Sequence, residues 1–112
     1  MEDILILSED GKTLLGVKDK DVREVVIPDG VKYIGNRAFE NCFLLESVAI
    51  PYGIIIIGAG AFSYCEFLQS IDIPNSVKNI GAEAFLDCTS LKSLTLPNSI
   101  IKIGARAFFS CI

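Results

Sequence analysis

Proline recurs in this chain at a fixed interval of 23 residues, and that interval constrains the fold more than any other feature. The four positions are Pro28, Pro51, Pro74 and Pro97. They are all the prolines in a chain of 112 residues, so the interval reflects an internal repeat. A unit this short cannot enclose a hydrophobic core of its own. The chain therefore has to fold by stacking successive units on one another.

The repeat is a sequence pattern with no insertions. One unit reads L-x-x-I-x-I-P-x-x-V-x-x-I-G-x-x-A-F-x-x-C, and eight of its columns are apolar. The units cover residues 22–44, 45–67, 68–90 and 91–112. The glycine and cysteine columns are Gly35, Gly58, Gly81 and Gly104, and Cys42, Cys65, Cys88 and Cys111. Residues 22–112 thus form four equivalent coils with the same apolar columns turned inward.

Each part of the unit predicts a local structure. Alternation in Ser70-Ile71-Asp72-Ile73 predicts a strand with one buried face. Proline ends that strand, because it lacks the N–H that a sheet ladder requires. The glycine column predicts a bend that needs either a positive φ or the absence of a Cβ. The A-F-x-x-C segment predicts one helical or 3₁₀ turn with Phe and Cys facing inward, and successive strands should pair in parallel.

The first 21 residues do not fit the repeat. Two apolar runs, Ile4 to Leu7 and Thr13 to Val17, flank Asp10-Gly11, which predicts a β-hairpin. Residues 1–21 are therefore expected to cap the first coil, since a stacked core leaves its end exposed. Residues 1–29 hold eight acids and four bases, which a solvated cap explains. The alternative is an acidic docking or cation site, although the acids lack the spacing of a calcium loop.

The unbroken I-P, I-G, A-F and C columns make the repeat resemble the BspA-like leucine-rich repeats, a family found mostly in bacterial and protozoan surface proteins. The resemblance covers Val22 to Ile112. It implies a repeat solenoid, a right-handed superhelix of short parallel strands joined by short helical or 3₁₀ turns, behind the N-terminal β-hairpin cap. It also implies a non-catalytic protein-protein interaction module, with surface adhesion or host-protein binding as its role. A fold does not by itself identify a ligand.

Composition excludes several kinds of chemistry. The chain has no histidine, so Ser/His and Cys/His nucleophile pairs and His-ligated metals are excluded. Its net charge of −4 is the wrong sign for wrapping nucleic acid. The cysteines share one inward column, which favours buried free thiols over disulfide bridges or a zinc site. We expect no enzyme activity, no cofactor and no metal.

Membrane and targeting signals are weak. The stretch Ser47 to Cys65 carries no charge for nineteen residues, but it contains Pro51 and three glycines. The repeat accounts for its apolar residues, so we expect no membrane insertion. The acidic start Met1-Glu2-Asp3 predicts no cleavable secretory signal in this chain. Free thiols suit a reducing compartment while the resemblance implies a cell-surface or secreted protein, so the location stays open.

Apolar residues outside the pattern concentrate in the second unit. Ile55 and Ile56 stand where the third unit has Lys78 and Asn79. An exposed apolar cluster of this kind predicts a partner-binding patch, and tyrosine is common at interfaces. The alternative is that these side chains cover neighbouring coils or loops. The predicted patch comprises Tyr33, Tyr52, Ile55, Ile56, Tyr64 and Phe67.

The outward side of the pre-proline strands is a second candidate surface for a protein partner. The resemblance implies it, because leucine-rich repeat proteins commonly bind there. Its side chains are small and nearly neutral, and four coils offer limited area for tight binding. The residues are Glu24, Val26, Ser47, Ala49, Ser70, Asp72, Ser93 and Thr95.

The end of the sequence, Phe109-Ser110-Cys111-Ile112, has no polar capping segment. We expect the core and strand edge of the last coil to be open there. Two expectations follow, a homodimer closing that end or continuation into a longer repeat array. The second functional hypothesis is accordingly a structural spacer or self-assembly segment that oligomerises through its C-terminal end.

Overall fold

Short strands joined by turns make up the fold. The structure, a computed structural model, describes residues 4–111, and no helix occurs in that span. Its ten strands are β1 Leu5–Leu7, β2 Thr13–Val17, β3 Glu24–Val26, β4 Tyr33–Ile34, β5 Ser47–Ala49, β6 Ile56–Ile57, β7 Ser70–Asp72, β8 Asn79–Ile80, β9 Ser93–Thr95 and β10 Lys102–Ile103.

The predicted N-terminal hairpin is confirmed. Strands β1 and β2 pair antiparallel around a turn in which Gly11 adopts a φ of 74°. Asp10 fixes this turn by accepting hydrogen bonds from the Lys12 amide and the Ser8 hydroxyl. Strand β2 then pairs in parallel with β4, and Leu14 is buried against the first coil. The hairpin therefore covers the beginning of the stacked core.

Each coil carries two strands rather than the one predicted. The post-proline strands join the hairpin in a six-stranded sheet of order β1-β2-β4-β6-β8-β10. The pre-proline strands form two parallel pairs, β3 with β5 and β7 with β9. All pairings between coils are parallel, as expected. The second strand escaped prediction because a two-residue strand is too short to show alternation in the sequence.

The A-F-x-x-C segments are not helical, and the prediction of a helical or 3₁₀ turn there is wrong. Arg37 and Asn41 adopt left-handed φ values of 60° and 65°, whereas a right-handed helix needs negative φ at every residue. The segment is instead a run of overlapping β-turns, such as the one closed by the Cys42 amide on the Phe39 carbonyl at 3.1 Å. The later coils place left-handed residues at Gly60 and Tyr64, Glu83 and Asp87, and Arg106 and Ser110.

These turn segments form a third hydrogen-bonded side of each coil. The Phe39 amide donates to the Ala61 carbonyl at 2.7 Å, and the Phe62 amide donates to Ala84 at the same distance. The β-turns thus leave alternate N–H groups free to bond along the stack, which a helix would have used internally. Every side of the coil is consequently tied to its neighbour by backbone hydrogen bonds.

The core consists of the eight apolar columns. In the third coil all eight members are buried. In the first two coils every member is buried except Val22 and Ile50, which are half-buried. The phenylalanine column stacks with near-parallel rings, with centroids of Phe39 and Phe62 5.0 Å apart. The cysteine column also faces inward, and all four thiols are free. Inward placement of Phe and Cys is therefore as predicted, although the backbone that achieves it is not.

The repeat glycines are needed for space and not for a left-handed backbone. None of Gly35, Gly58, Gly81 and Gly104 has a positive φ. A Cβ on Gly58 would lie 2.8 Å from the Asn36 nitrogen, and one on Gly81 would lie 2.5 Å from the Ala59 nitrogen. Atoms cannot approach this closely, so the coils stack at this column only without a side chain. Of the two reasons that the sequence left open, the absence of a Cβ is the one that applies.

Candidate binding surfaces

The outward side chains of the pre-proline strands form one regular surface, called here the strand face. All eight predicted residues are exposed, with Val26 retaining 75% of its accessible area. Parallel register places Glu24 beside Ser47 and Asp72 beside Thr95. The structure thus brings together all the residues of the second candidate surface, while their role in binding stays a prediction.

A shallow depression lies at the centre of the strand face. It has a volume of about 290 Å³ and is lined by β3, β5 and β7. The ladder is interrupted between β5 and β7, which belong to different two-stranded sheets. The small residues Ser47, Ala49 and Ser70 are among those that line it, together with the acidic residues Glu24 and Asp72. This arrangement admits another backbone closely and offers hydrogen-bonding groups to it.

The residues of the predicted apolar patch lie on three different segments of the coil. Tyr33 and Ile56 are register partners on β4 and β6, and Ile55 immediately precedes β6. Tyr52 lies in the corner after Pro51 and is 77% exposed. Tyr64 and Phe67 belong to the turn side, where the Tyr64 amide donates to the Leu86 carbonyl. The structure brings together Tyr33, Ile55 and Ile56 and places the other three elsewhere.

Two adjacent residue columns run along the outer side of the six-stranded sheet, called here the second face. Backbone hydrogen bonds and strand register set the order of both columns along the stack. Neither column contains an acidic residue. The first column is Lys12, Lys32, Ile55, Lys78 and Ile101, and the second is Thr13, Tyr33, Ile56, Asn79 and Lys102.

A groove of about 430 Å³ lies beside these columns. Gly58, Gly81 and Gly104 are among the residues that line it, and the close stacking of the coils leaves no room for a side chain at these glycines. Ile56 and Lys102 are among the residues that line it. The lysines of this face were not among the residues predicted to bind a partner. The sequence does contain a pattern that could have identified them. Lysine and isoleucine alternate at the position that follows the fourth apolar column, at Lys32, Ile55, Lys78 and Ile101.

The thiols are poor nucleophiles where they lie. Burial raises the pKa of Cys65 well above its ordinary value, and burial raises the pKa of Cys88 to about 12. A protonated, buried thiol lacks the thiolate that nucleophilic attack and metal binding require. Within residues 4–111 no three side chains of the metal-binding types cluster closely enough to hold an ion. No helix in that same span is long and apolar enough to cross a membrane.

The last coil exposes residues that are buried in earlier coils. Leu94, Leu96 and Ile103 belong to core columns but are 36%, 39% and 45% exposed. The equivalent residues of the third coil, Ile71, Ile73 and Ile80, are buried. Phe109 and Ile101 add further exposed apolar surface to this coil. The stack thus presents apolar core side chains at its C-terminal coil.

The folded chain is a parallel β-solenoid of about four coils, with the column pattern of a leucine-rich repeat protein. The sequence model of the BspA type leucine rich repeat region, in six copies, matches residues 18–112. The chain belongs to the BspA-type leucine-rich repeat family, whose repeats are typical of protein-interaction proteins.

Several solved bacterial structures are similar. A leucine-rich repeat protein of T. pallidum matches with a TM-score of 0.76 and 28% identity, over 93% of this chain and 62% of that one. A leucine-rich cell surface protein of Faecalibacterium prausnitzii matches with a TM-score of 0.80 and 30% identity, over 95% and 32%. The pneumococcal vaccine antigen PcpA matches with a TM-score of 0.83 and 26% identity, over 89% and 25%.

The chain therefore spans about three fifths of the T. pallidum protein and about a third or less of the other two. None of the three is described as an enzyme. No curated protein sequence matches this chain.

Proposed function

We propose that this chain is a non-catalytic protein-binding module that uses its strand face. The observation that carries the proposal is the strand face itself, where eight outward side chains from two register-matched strand pairs are exposed. Small residues such as Ser47 and Ser70 take no part in core packing, so selection for the fold does not require them to be small. A rigid surface of this kind binds without a large ordering cost.

Panning of a displayed peptide library tests this proposal. The strand face is blocked by the double substitution Ser47→Arg and Ser70→Arg, which fills the central depression. The matched control is Thr89→Arg with Asn98→Arg, two exposed positions outside that face. Circular dichroism of both variants is the check that each of them still folds.

We expect most peptides enriched on the unmodified chain to lose roughly tenfold or more in affinity on the blocked variant and to bind the control normally. Peptides that bind all three proteins equally would contradict the strand face as the binding surface. Failure to enrich any peptide would contradict the binding function.

The finer role that we propose is adhesion or host-protein binding at a bacterial surface. The similarity to a cell surface protein of F. prausnitzii and to a pneumococcal vaccine antigen supports it. Antibodies raised against the folded chain should label intact cells of the organism that produces it. Labelling that requires permeabilised cells would contradict a surface role.

A second candidate function is self-assembly, as a homodimer or within a longer repeat array, through the last coil. The exposed core residues Leu94, Leu96 and Ile103 favour it, because stacking another coil on them would bury apolar surface. Light scattering over a concentration series tests it on the chain as it stands. Phe109→Ser, which copies Ser63 of the second coil, should then lower the associated mass, whereas Phe67→Ser should not. A monomer at every concentration would exclude the homodimer.

A further inference from the structure

Charge is distributed unevenly over the surface of this acidic chain. The chain has fourteen acidic and ten basic residues, yet the two columns of the second face hold four lysines and no acid. Acidic residues lie elsewhere, for example Glu24, Glu46 and Asp72 on and beside the strand face. The second face is therefore basic while the molecule as a whole is not.

Three of these lysines have no carboxylate partner among residues 4–111. Within residues 4–111 the ion pairs are Arg23 with Glu46, Arg37 with Glu40, and Arg106 with Glu83. The ammonium groups of Lys32, Lys78 and Lys102 take part in none of them, and all three side chains are exposed. Lys12 differs, because its charge contributes to the lowered pKa of Asp10. The three unpaired lysines thus offer positive charge to an external anion.

Apolar surface lies between the unpaired lysines. Ile55 separates Lys32 from Lys78 along the first column, and Ile56 stands beside it above the groove. Both isoleucines are half-buried, so they are covered in part by this chain and remain open in part to a partner. Nothing in the described residues fills the groove. The face therefore combines apolar contact area with positive charge on both sides of it.

We infer that the second face binds an acidic peptide segment of another protein in an extended conformation. The inference rests on the proposed protein-binding function. It adds a second binding surface, distinct from the strand face, and states that the partner of this surface is an acidic peptide. Two coils separate Lys32 from Lys78, which is roughly 10 Å at about 4.8 Å per coil. Side chains two positions apart on an extended chain share a face, and four positions span roughly 13 Å. Two carboxylates four positions apart would reach both lysines, whose long side chains cover the difference, with an apolar side chain at the middle position over Ile55 and Ile56.

A peptide fits this face better than other anions. Nucleic acid binding depends on many phosphate contacts, and three unpaired lysines on a chain of net charge −4 supply few. A membrane surface would meet the lysines but would leave the groove beside Ile56 unfilled. A peptide side chain can enter that groove while its carboxylates remain at the rim.

Fluorescence anisotropy with defined peptides tests the inference. The probe is a labelled ten-residue peptide with two glutamates four positions apart and a leucine at the middle position between them, so that all three side chains share one face of the extended peptide. Its counterpart carries glutamine in place of both glutamates. The test variant is Lys32→Glu with Lys78→Glu, and the matched control is Lys18→Glu with Lys92→Glu. Both variants change the net charge equally, but the control residues lie off the second face.

We expect the acidic peptide to bind the unmodified chain roughly tenfold more tightly than the glutamine peptide. The test variant should lose about that factor and the control should keep its affinity. Ile56→Asn, which copies Asn79 of the third coil, should weaken binding of the leucine peptide more than that of an alanine version. The strand-face variant Ser47→Arg with Ser70→Arg should bind the acidic peptide no more weakly than the unmodified chain does. A failure of the strand-face proposal can therefore be told apart from a failure of this inference.

Three results would overturn the inference. The first is equal binding of the acidic and glutamine peptides. The second is binding of an oligonucleotide or of vesicles containing anionic lipid that depends on Lys32 and Lys78 when peptide binding does not. The third is association of the chain with itself that the test variant abolishes and the control variant preserves, since this would assign the face to a second copy.

Discussion

The thiol of Cys65 donates a hydrogen bond to the carbonyl oxygen of Phe39, which lies 3.2 Å away in the preceding coil. The same bond joins Cys88 to Phe62 at 3.1 Å in the next coil. The cysteine column is therefore a ladder of weak donors that ties consecutive coils together at their turn side. A small apolar residue with one donor suits that position, which explains the cysteines without invoking catalysis or metal binding.

Removing one of these thiols should destabilise the stack. Cys65→Ala loses a buried sulfur and its hydrogen bond, and we expect a loss of about 1–3 kcal/mol in the free energy of unfolding. Cys111→Ala should cost less, because Cys111 is only partly buried. Urea denaturation under reducing conditions measures both. Equal losses for the two variants would show that burial and stacking do not set the contribution.

Stability should also fall at alkaline pH. Burial raises the pKa of Cys65 and Cys88 above the ordinary value of 9.0, to about 12 for Cys88. Above pH 9 the unfolded chain loses thiol protons that the folded chain retains, so stability decreases as the pH rises. Below pH 9 the stabilisation that the buried, protonated thiols provide is fully present, and it is lost progressively between pH 9 and about pH 12.

Urea denaturation at several pH values between about 8 and 11 checks this expectation. The Cys88→Ala variant serves as the control for other groups that titrate in this range. The free energy of unfolding of this variant should fall less steeply with pH than that of the unmodified chain, by up to about 1.4 kcal/mol per pH unit. Parallel curves for the variant and the unmodified chain would contradict the assignment to the thiol.

The close approach at the repeat glycines should make Gly81→Ala strongly destabilising. The new Cβ would lie 2.5 Å from the Ala59 nitrogen, so two coils would have to move apart. We expect a loss of about 1–3 kcal/mol or more. Gly16→Ala is the matched control, because its Cβ would have an ordinary contact of 3.8 Å with the Ala38 oxygen. Chemical denaturation compares the two, and similar stabilities would argue against the steric role.

The stacked phenylalanines should differ in importance according to their place in the column. Phe62 lies fully buried between Phe39 and Phe85, with centroid distances of 5.0 and 5.1 Å. Phe62→Ala should therefore cost about 3–5 kcal/mol. Phe108 stacks on Phe85 alone and is half-buried, so Phe108→Ala should cost distinctly less. Thermal and urea unfolding of both variants measure the difference, and equal losses would contradict the dependence on position in the column.

Arg37→Gly should stabilise the chain. Arg37 holds a left-handed φ of 60° at a position where the second coil has Gly60. Glycine adopts that conformation without strain, so we expect a gain of about 0.5–1 kcal/mol. Arg37→Ala removes the same exposed ion pair with Glu40 but keeps a Cβ, and it should give no gain. Equal effects of the two substitutions in urea denaturation would show that backbone strain is not relieved.

Much of the fold follows from the columns of the repeat. Alternation before Pro74 predicts β7, and proline explains why β7 ends at Asp72. The hairpin around Gly11 and the inward cysteines are likewise readable from local patterns. The turn segments are not, because an i, i+3 spacing of Phe39 and Cys42 suits both a helical turn and the β-turns that the structure contains. Only the left-handed φ of Arg37 and Asn41 distinguishes them.

Four stacked coils, their buried columns and the proline after each strand can be recognised in the sequence, because burial of apolar side chains imposes a period of 23 residues along the chain. The tertiary structure sets which columns are neighbours on the surface. It joined Tyr33, Ile55 and Ile56 with Lys32 and Lys78, and it separated them from Tyr64 and Phe67. The sequence does not show this, because the direction of the chain at each corner depends on backbone torsions such as the left-handed φ of Arg37 and Asn41, which the spacing of residues along the chain does not record.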